Sequence, residues 1–115
     1  MKKLLISCLV FLGGFISVHG QVYTGAAYYP EHTDKEQVEK DARLMKEAHF
    51  NIARMGDFAW HSMEHKDGAF TLEWLDHAIR TLSQHGIQSL LCPPTAAIPK
   101  WMHDAHPDIM IMGTD

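Results

Sequence analysis

Three times along this chain a short apolar run is followed by an amphipathic stretch, at intervals of roughly thirty residues. That alternation constrains the fold more than any other feature. It predicts strand, helix, strand, helix, strand, helix, with parallel strands joined by right-handed crossovers. The first strand is expected at Gln21–Ala27, where Val22, Tyr23 and Thr24 favour extended backbone. Tyr28-Tyr29-Pro30-Glu31-His32 reads as a loop, because Pro30 has no ladder donor and holds Tyr29 extended. Thr33 and Glu36 fit a capping box for a helix whose inner face carries Val38, Ala42, Met45 and Ala48. Glu36, Glu39, Lys40, Arg43 and Glu47 form its wet side. The second strand is Asn51–Met55, and a long connection, His61 to Phe70, turns at Asp67-Gly68. A second helix is expected from Leu72 to His85, capped by Thr71 and stopped by Gly86, with Leu75, Ala78, Ile79 and Leu82 inward. Ile87–Leu91 is the third strand, ended by Cys92-Pro93-Pro94-Thr95. Pro99 opens a third helix, Lys100 to Ala105, that stops near Pro107.

All three helices follow their strands, so the strand ends share one rim, the place where α/β folds bind ligands. Tyr28, Tyr29 and Glu31 fall at the first end, Asp57 and Trp60 at the second, Thr95 and Trp101 at the third. Rings beside carboxylates suit sugars, which stack on aromatic faces and donate hydroxyl protons; core packing is the competing account for each ring taken singly. Arg54 is the sharpest residue of the set. It lies inside the apolar run Ile52-Ala53-Arg54-Met55, and a buried guanidinium without a partner costs several kcal/mol. Two readings are open here: a structural arginine paired with a nearby acid, or a strand tip that holds an anionic group in a site.

The start of the chain reads as a leader rather than as part of the fold. Met1-Lys2-Lys3 is basic, Leu4–Ile16 is apolar, and Ser17-Val18-His19-Gly20 offers small residues for cleavage after Gly20. The domain expectation is therefore a signal peptide over 1–20 and a folded portion over 21–115, in a periplasmic or extracellular setting with no membrane contact after cleavage. Leu5-Ile6-Ser7-Cys8 loosely resembles a lipoprotein box, but Cys8 lies too early in the apolar core. Without Lys2 and Lys3 the basic residues fall from 10 to 8 against 14 acidic ones, a net charge near −6. No basic stripe exists, which argues against nucleic acid as a partner. Cys92 is the one cysteine beyond the leader, so no internal disulfide is expected. His61 and His65, and His103 and His106, have helical spacing, but neither pair has a third ligand at zinc spacing. No metal is expected, and without a glycine-rich phosphate motif no cofactor either.

Several segments together resemble glycoside hydrolase family 42. They are Tyr28-Tyr29-Pro30-Glu31, Asp41-Ala42-Arg43-Leu44-Met45-Lys46-Glu47-Ala48, and Asn51-Ile52-Ala53-Arg54-Met55-Gly56-Asp57-Phe58-Ala59-Trp60. Phe70 to Asp76, His85-Gly86-Ile87, Pro94-Thr95-Ala96 and Pro99-Lys100-Trp101 continue the match in order. The resemblance implies an α/β chain forming the first three βα units of a (β/α)8 TIM barrel, incomplete in this chain. It also implies a retaining β-galactosidase acting on terminal β-D-galactosides or a related oligosaccharide, which the leader would make an exported one.

Retention needs two carboxyl groups about 5–5.5 Å apart. The family carries both glutamates on later strands, so no catalytic residue is assigned here. The residues expected to bind substrate are Arg54, Asp57, Trp60, Tyr29, Glu31 and Thr95. The resemblance places Arg54 beside the nucleophile, where its charge would keep that carboxylate ionised. Asp57 stands where the family usually has glutamate. His49 replaces a glycine after the first helix and His65 a proline after Glu64. Galactoside against arabinoside preference, linkage and the oligomeric state of the full-length enzyme depend on later loops. A self-contained exported sugar-binding or interaction module of three βα units is the alternative reading.

Overall fold

The computed structural model describes residues 20–110. The expected leader therefore lies outside the described residues except for Gly20. Strands β1 (Gly25–Ala27), β2 (Ile52–Met55) and β5 (Gln88–Leu91) form a parallel sheet in the order β1-β2-β5. Helix α1 (Lys35–Glu47) connects the first two, and α3 (Glu73–Gln84) connects β2 to β5. Helix α4 (Lys100–Ala105) follows, and single 3-10 turns occupy Pro30–His32 and Pro107–Ile109. Between β2 and α3 stands a short helix, α2 (Trp60–Met63), and an antiparallel hairpin of β3 (Glu64–Lys66) and β4 (Ala69–Phe70).

Register decides what each face of the sheet carries. Ala26, Ala53 and Ser89 share one row; Ala27, Arg54 and Leu90 share the next, on the opposite face. Ala53 and Met55 turn toward the helices and are buried with Tyr28, Val38, Ala42, Ala78, Leu82 and Ile87, with Met45 and Ile79 packed around them. Helical spacing puts Val38 and Ala42 on one stripe of α1, and Ala78 and Leu82 on one stripe of α3. Among the described residues no helix lies on the other sheet face, and Leu90 there is 49% exposed.

Several local expectations are corrected. The first strand is shorter than Gln21–Ala27. Asn51 replaces the ladder at its start: its Nδ2 donates to Val22 O at 2.7 Å, and its Oδ1 accepts from Thr24 N at 2.8 Å. Asp34, not Thr33, caps α1, accepting from Gln37 N at 2.8 Å. Thr33 is taken by the preceding 3-10 turn, where both its N–H and its hydroxyl donate to Pro30 O. Thr71 does not cap α3. Its N–H donates to Met63 O at 2.8 Å and its hydroxyl to Ser62 O at 2.9 Å, so it ties β4 to α2. Leu72 occupies the N-cap without a side-chain bond. The connection expected over His61–Phe70 is the α2–hairpin segment, turned at Gly68 with φ 74°. His49 adopts φ 61°, the left-handed conformation that its replacement of a glycine anticipated.

Candidate functional site

The site is organised by the end of β2. Arg54 leaves the sheet on its open face, with a side chain 48% exposed instead of buried as its apolar flanks suggested. Two groups hold it: Nη2 donates to Asp57 Oδ2 at 2.8 Å, and Nε donates to Cys92 Sγ at 3.2 Å. The Cys92 bond first, and then the charge of Asp57, raise the Arg54 pKa above its ordinary value. The guanidinium is thus a fixed cation at any working pH.

Gly56 makes the Arg54–Asp57 pair possible. Its φ of 95° turns the chain back within three residues, and a Cβ there would lie 3.2 Å from the carbonyl oxygen of Cys92. Asp57 thereby reaches Arg54. Its side chain is only 7% exposed, and its Oδ1 has no partner among the described residues. Both carboxylate oxygens of Glu31, in the turn after β1, are likewise buried and unpaired among the described residues. A buried acceptor without a donor costs about 1–3 kcal/mol, so these three oxygens mark a strained polar spot at the strand ends.

The aromatic residues divide. Tyr29 packs its ring against Phe58, centroids 6.3 Å apart and planes at 40°, which joins the loops after β1 and β2. Tyr28, expected at the rim, instead turns to the helix side of the sheet. It is buried there and donates to Asp41 Oδ2 at 3.0 Å. Burial first, and then that bond, push its phenol pKa well up. The reason is parity: Tyr28 follows Ala27, whose row faces the other way.

Trp60 and Trp101 meet at Glu64. Trp60 Nε1 donates to Glu64 Oε2 at 2.9 Å, and Trp101 Nε1 to the Glu64 carbonyl oxygen at 2.9 Å. The other carboxylate oxygen of Glu64 takes Gly68 N at 2.8 Å, so Glu64 fixes the α2–hairpin segment and α4 together. Thr95 is exposed in the loop after β5. Among the described residues, no three His, Cys, Asp or Glu side chains stand together as a metal site, and no helix is long and apolar enough to cross a membrane.

Cys92 was missed as a neighbour of Arg54, although the register carries the signal. Leu90 lies opposite Arg54, and Cys92, two residues on, shares its face. Phe58 follows Asp57 past the end of β2, as its place in the sequence suggests, but its contact with Tyr29 is not legible there because no sequence pattern links the two loops.

Parallel strands, helices on one face, and a polar cluster at the strand ends define a portion of an α/β protein with its site at the carboxyl rim. Residues 27–115 match the model of glycoside hydrolase family 42, described as Beta-galactosidase. The Beta-galactosidase BgaH of Haloferax lucentense is 44% identical over 85 residues, which are 74% of this chain and 13% of that protein. A crystal structure of β-galactosidase from the psychrophilic Marinomonas ef1 superposes with a TM-score of 0.74 at 36% identity, covering 77% of this chain and 14% of that one. The polyextremophilic β-galactosidase of Halorubrum lacusprofundi gives a TM-score of 0.72 at 42% identity, over 75% of this chain and 13% of that one. The chain belongs to glycoside hydrolase family 42, and it spans about an eighth of the length of the relatives it matches.

Proposed function

We propose that this chain supplies the first three βα units of a (β/α)8 barrel in an exported retaining β-galactosidase. The match over residues 27–115 carries the reading. The site supports it with a fixed cation, Arg54, at the end of the middle strand. A guanidinium has five N–H donors; Nε and one of Nη2 are engaged, which leaves three for an acceptor beyond the described residues. That acceptor is the nucleophilic carboxylate. A positive charge within a few Å favours the ionised form of a carboxylate, which keeps it able to attack the sugar. Asp57, through its hold on Arg54, and Glu31, in the turn after β1, are the acidic residues of this substrate-binding rim. Tyr29, Trp60 and Thr95, in the segments after the three strands, complete the substrate-binding rim in this reading. Both catalytic glutamates lie outside this chain, which by itself is inactive.

The test is the full-length protein, carrying this chain at its N-terminus, with an aryl β-galactoside in methanol–water. Release of the β-methyl galactoside, followed by proton NMR, is expected. An α-configured first product, or no turnover of galactosides, contradicts the reading.

A further inference from the structure

The reading of Arg54 as a partner of the nucleophilic carboxylate leaves one question: what aims it. An arginine side chain has four rotatable bonds, and a single ion pair at Nη2 lets the guanidinium plane swing about that contact. The second contact is on a different nitrogen, Nε, and comes from a different strand end. Each of the two is referenced to β2. Cys92 N donates to Met55 O at 2.9 Å, which fixes the Cys92 backbone beside the residue after Arg54. Asp57 is returned to Arg54 by the left-handed Gly56, against which the Cys92 carbonyl packs at 3.2 Å from the Cβ position. Two contacts on two nitrogens, both tied to the neighbouring backbone, fix the plane as well as the position of the guanidinium.

We propose that Cys92 is a positioning residue: together with Asp57 it braces Arg54, so that the unengaged Nη edge meets the nucleophilic carboxylate in one orientation. The Cys92 sulfur acts as an acceptor, and the thiol needs no ionisation, oxidation or metal for this. The proposal rests on the reading of Arg54 given above, and its test separates the two.

In the full-length enzyme, Cys92→Ala removes the acceptor and Cys92→Ser keeps one. Cys92→Ala is expected to lower kcat for an aryl β-galactoside by about ten- to a hundredfold, the upper figure being the loss for a group misplaced by about 1 Å, with KM within about twofold. The acidic limb of its kcat/KM profile is expected to move to higher pH, because a loosely held cation depresses the carboxylate pKa less. Cys92→Ser is expected to restore most of both. Cys92→Val, close to cysteine in size but without an acceptor, replaces Cys92→Ala should the smaller side chain prevent folding. The brace is overturned if the Ala or Val variant keeps the wild-type rate and acidic limb while Arg54→Met moves them. If Arg54→Met moves neither, the reading of Arg54 itself fails. A rate loss that Ser does not restore, with an unmoved acidic limb, marks Cys92 as packing only and also overturns the brace.

Discussion

Single residues here are governed by which way the backbone turns their side chains. Arg54 and Met55 are neighbours in sequence, yet Met55 is fully buried and the Arg54 side chain is half exposed, because strand parity sends them to opposite faces. The same parity removes Tyr28 from the rim and seats it on Asp41. That placement gives a pH dependence. The Tyr28 phenol, ordinarily near 10, holds its proton in the fold to higher pH, so the unfolded chain releases the proton first. The stability this provides is complete below pH 10 and is lost as pH rises toward the folded value. In urea titrations of the full-length enzyme, wild type is expected to exceed Tyr28→Phe by about 1–3 kcal/mol at pH 8, an advantage that shrinks above pH 10. A pH-independent difference would contradict this account. Gln37 Nε2 holds the other oxygen of Asp41 at 2.6 Å, so the acceptor remains in place when Tyr28 is replaced.

At the scale of elements, the periodicities of the sequence were legible wherever a face was buried. The apolar run Ile52–Met55 and the stripes of α1 and α3 mark themselves, since burial selects residues at period 2 or 3.6. The β3–β4 hairpin gave no such signal: Glu64-His65-Lys66 is polar throughout, and what holds it is the Glu64 carboxylate with Trp60 and Gly68. Cap choice failed for a related reason. Thr33 and Asp34 are both good N-caps by residue type, and the preceding Pro30 turn, a three-residue effect, decides between them. Asp34→Ala is therefore expected to cost about 1 kcal/mol in urea denaturation of the full-length enzyme, and Thr33→Ala less than half of that. Equal losses, or a larger loss at Thr33, would return the cap to Thr33. The contribution of Cys92 lies at this scale too. A lone cysteine after a strand says little until the β2–β5 register sets it opposite Gly56, on the Arg54 face.

At the largest scale, the decisive fact is the sheet face that stays uncovered among the described residues. One face is covered by α1 and α3; the other carries Ile52, Arg54 and Leu90, and β1 and β5 each have one edge without a strand among the described residues. A closed barrel gives such a sheet its missing edges and fills its interior. We expect residues 21–115 produced alone to aggregate or to show no cooperative thermal transition, and to lack galactosidase activity. A sharp transition with galactoside binding would support a self-contained module instead. The overall α/β order was readable because it rests on repeated periodicity. Half of the rim was not, because a site built from strand ends depends on register and parity, which no single segment reveals.

The central claim is that Arg54 is held ready for a carboxylate carried by another part of the full-length enzyme. Replacing Arg54 with Met in that enzyme and recording kcat/KM against pH tests it most directly. The account predicts a large loss of rate and an acidic limb moved up by about one pH unit or more, as the nucleophile loses the cation that keeps it ionised. An unchanged rate with an unchanged acidic limb would make Arg54 the structural partner of Asp57 and nothing further.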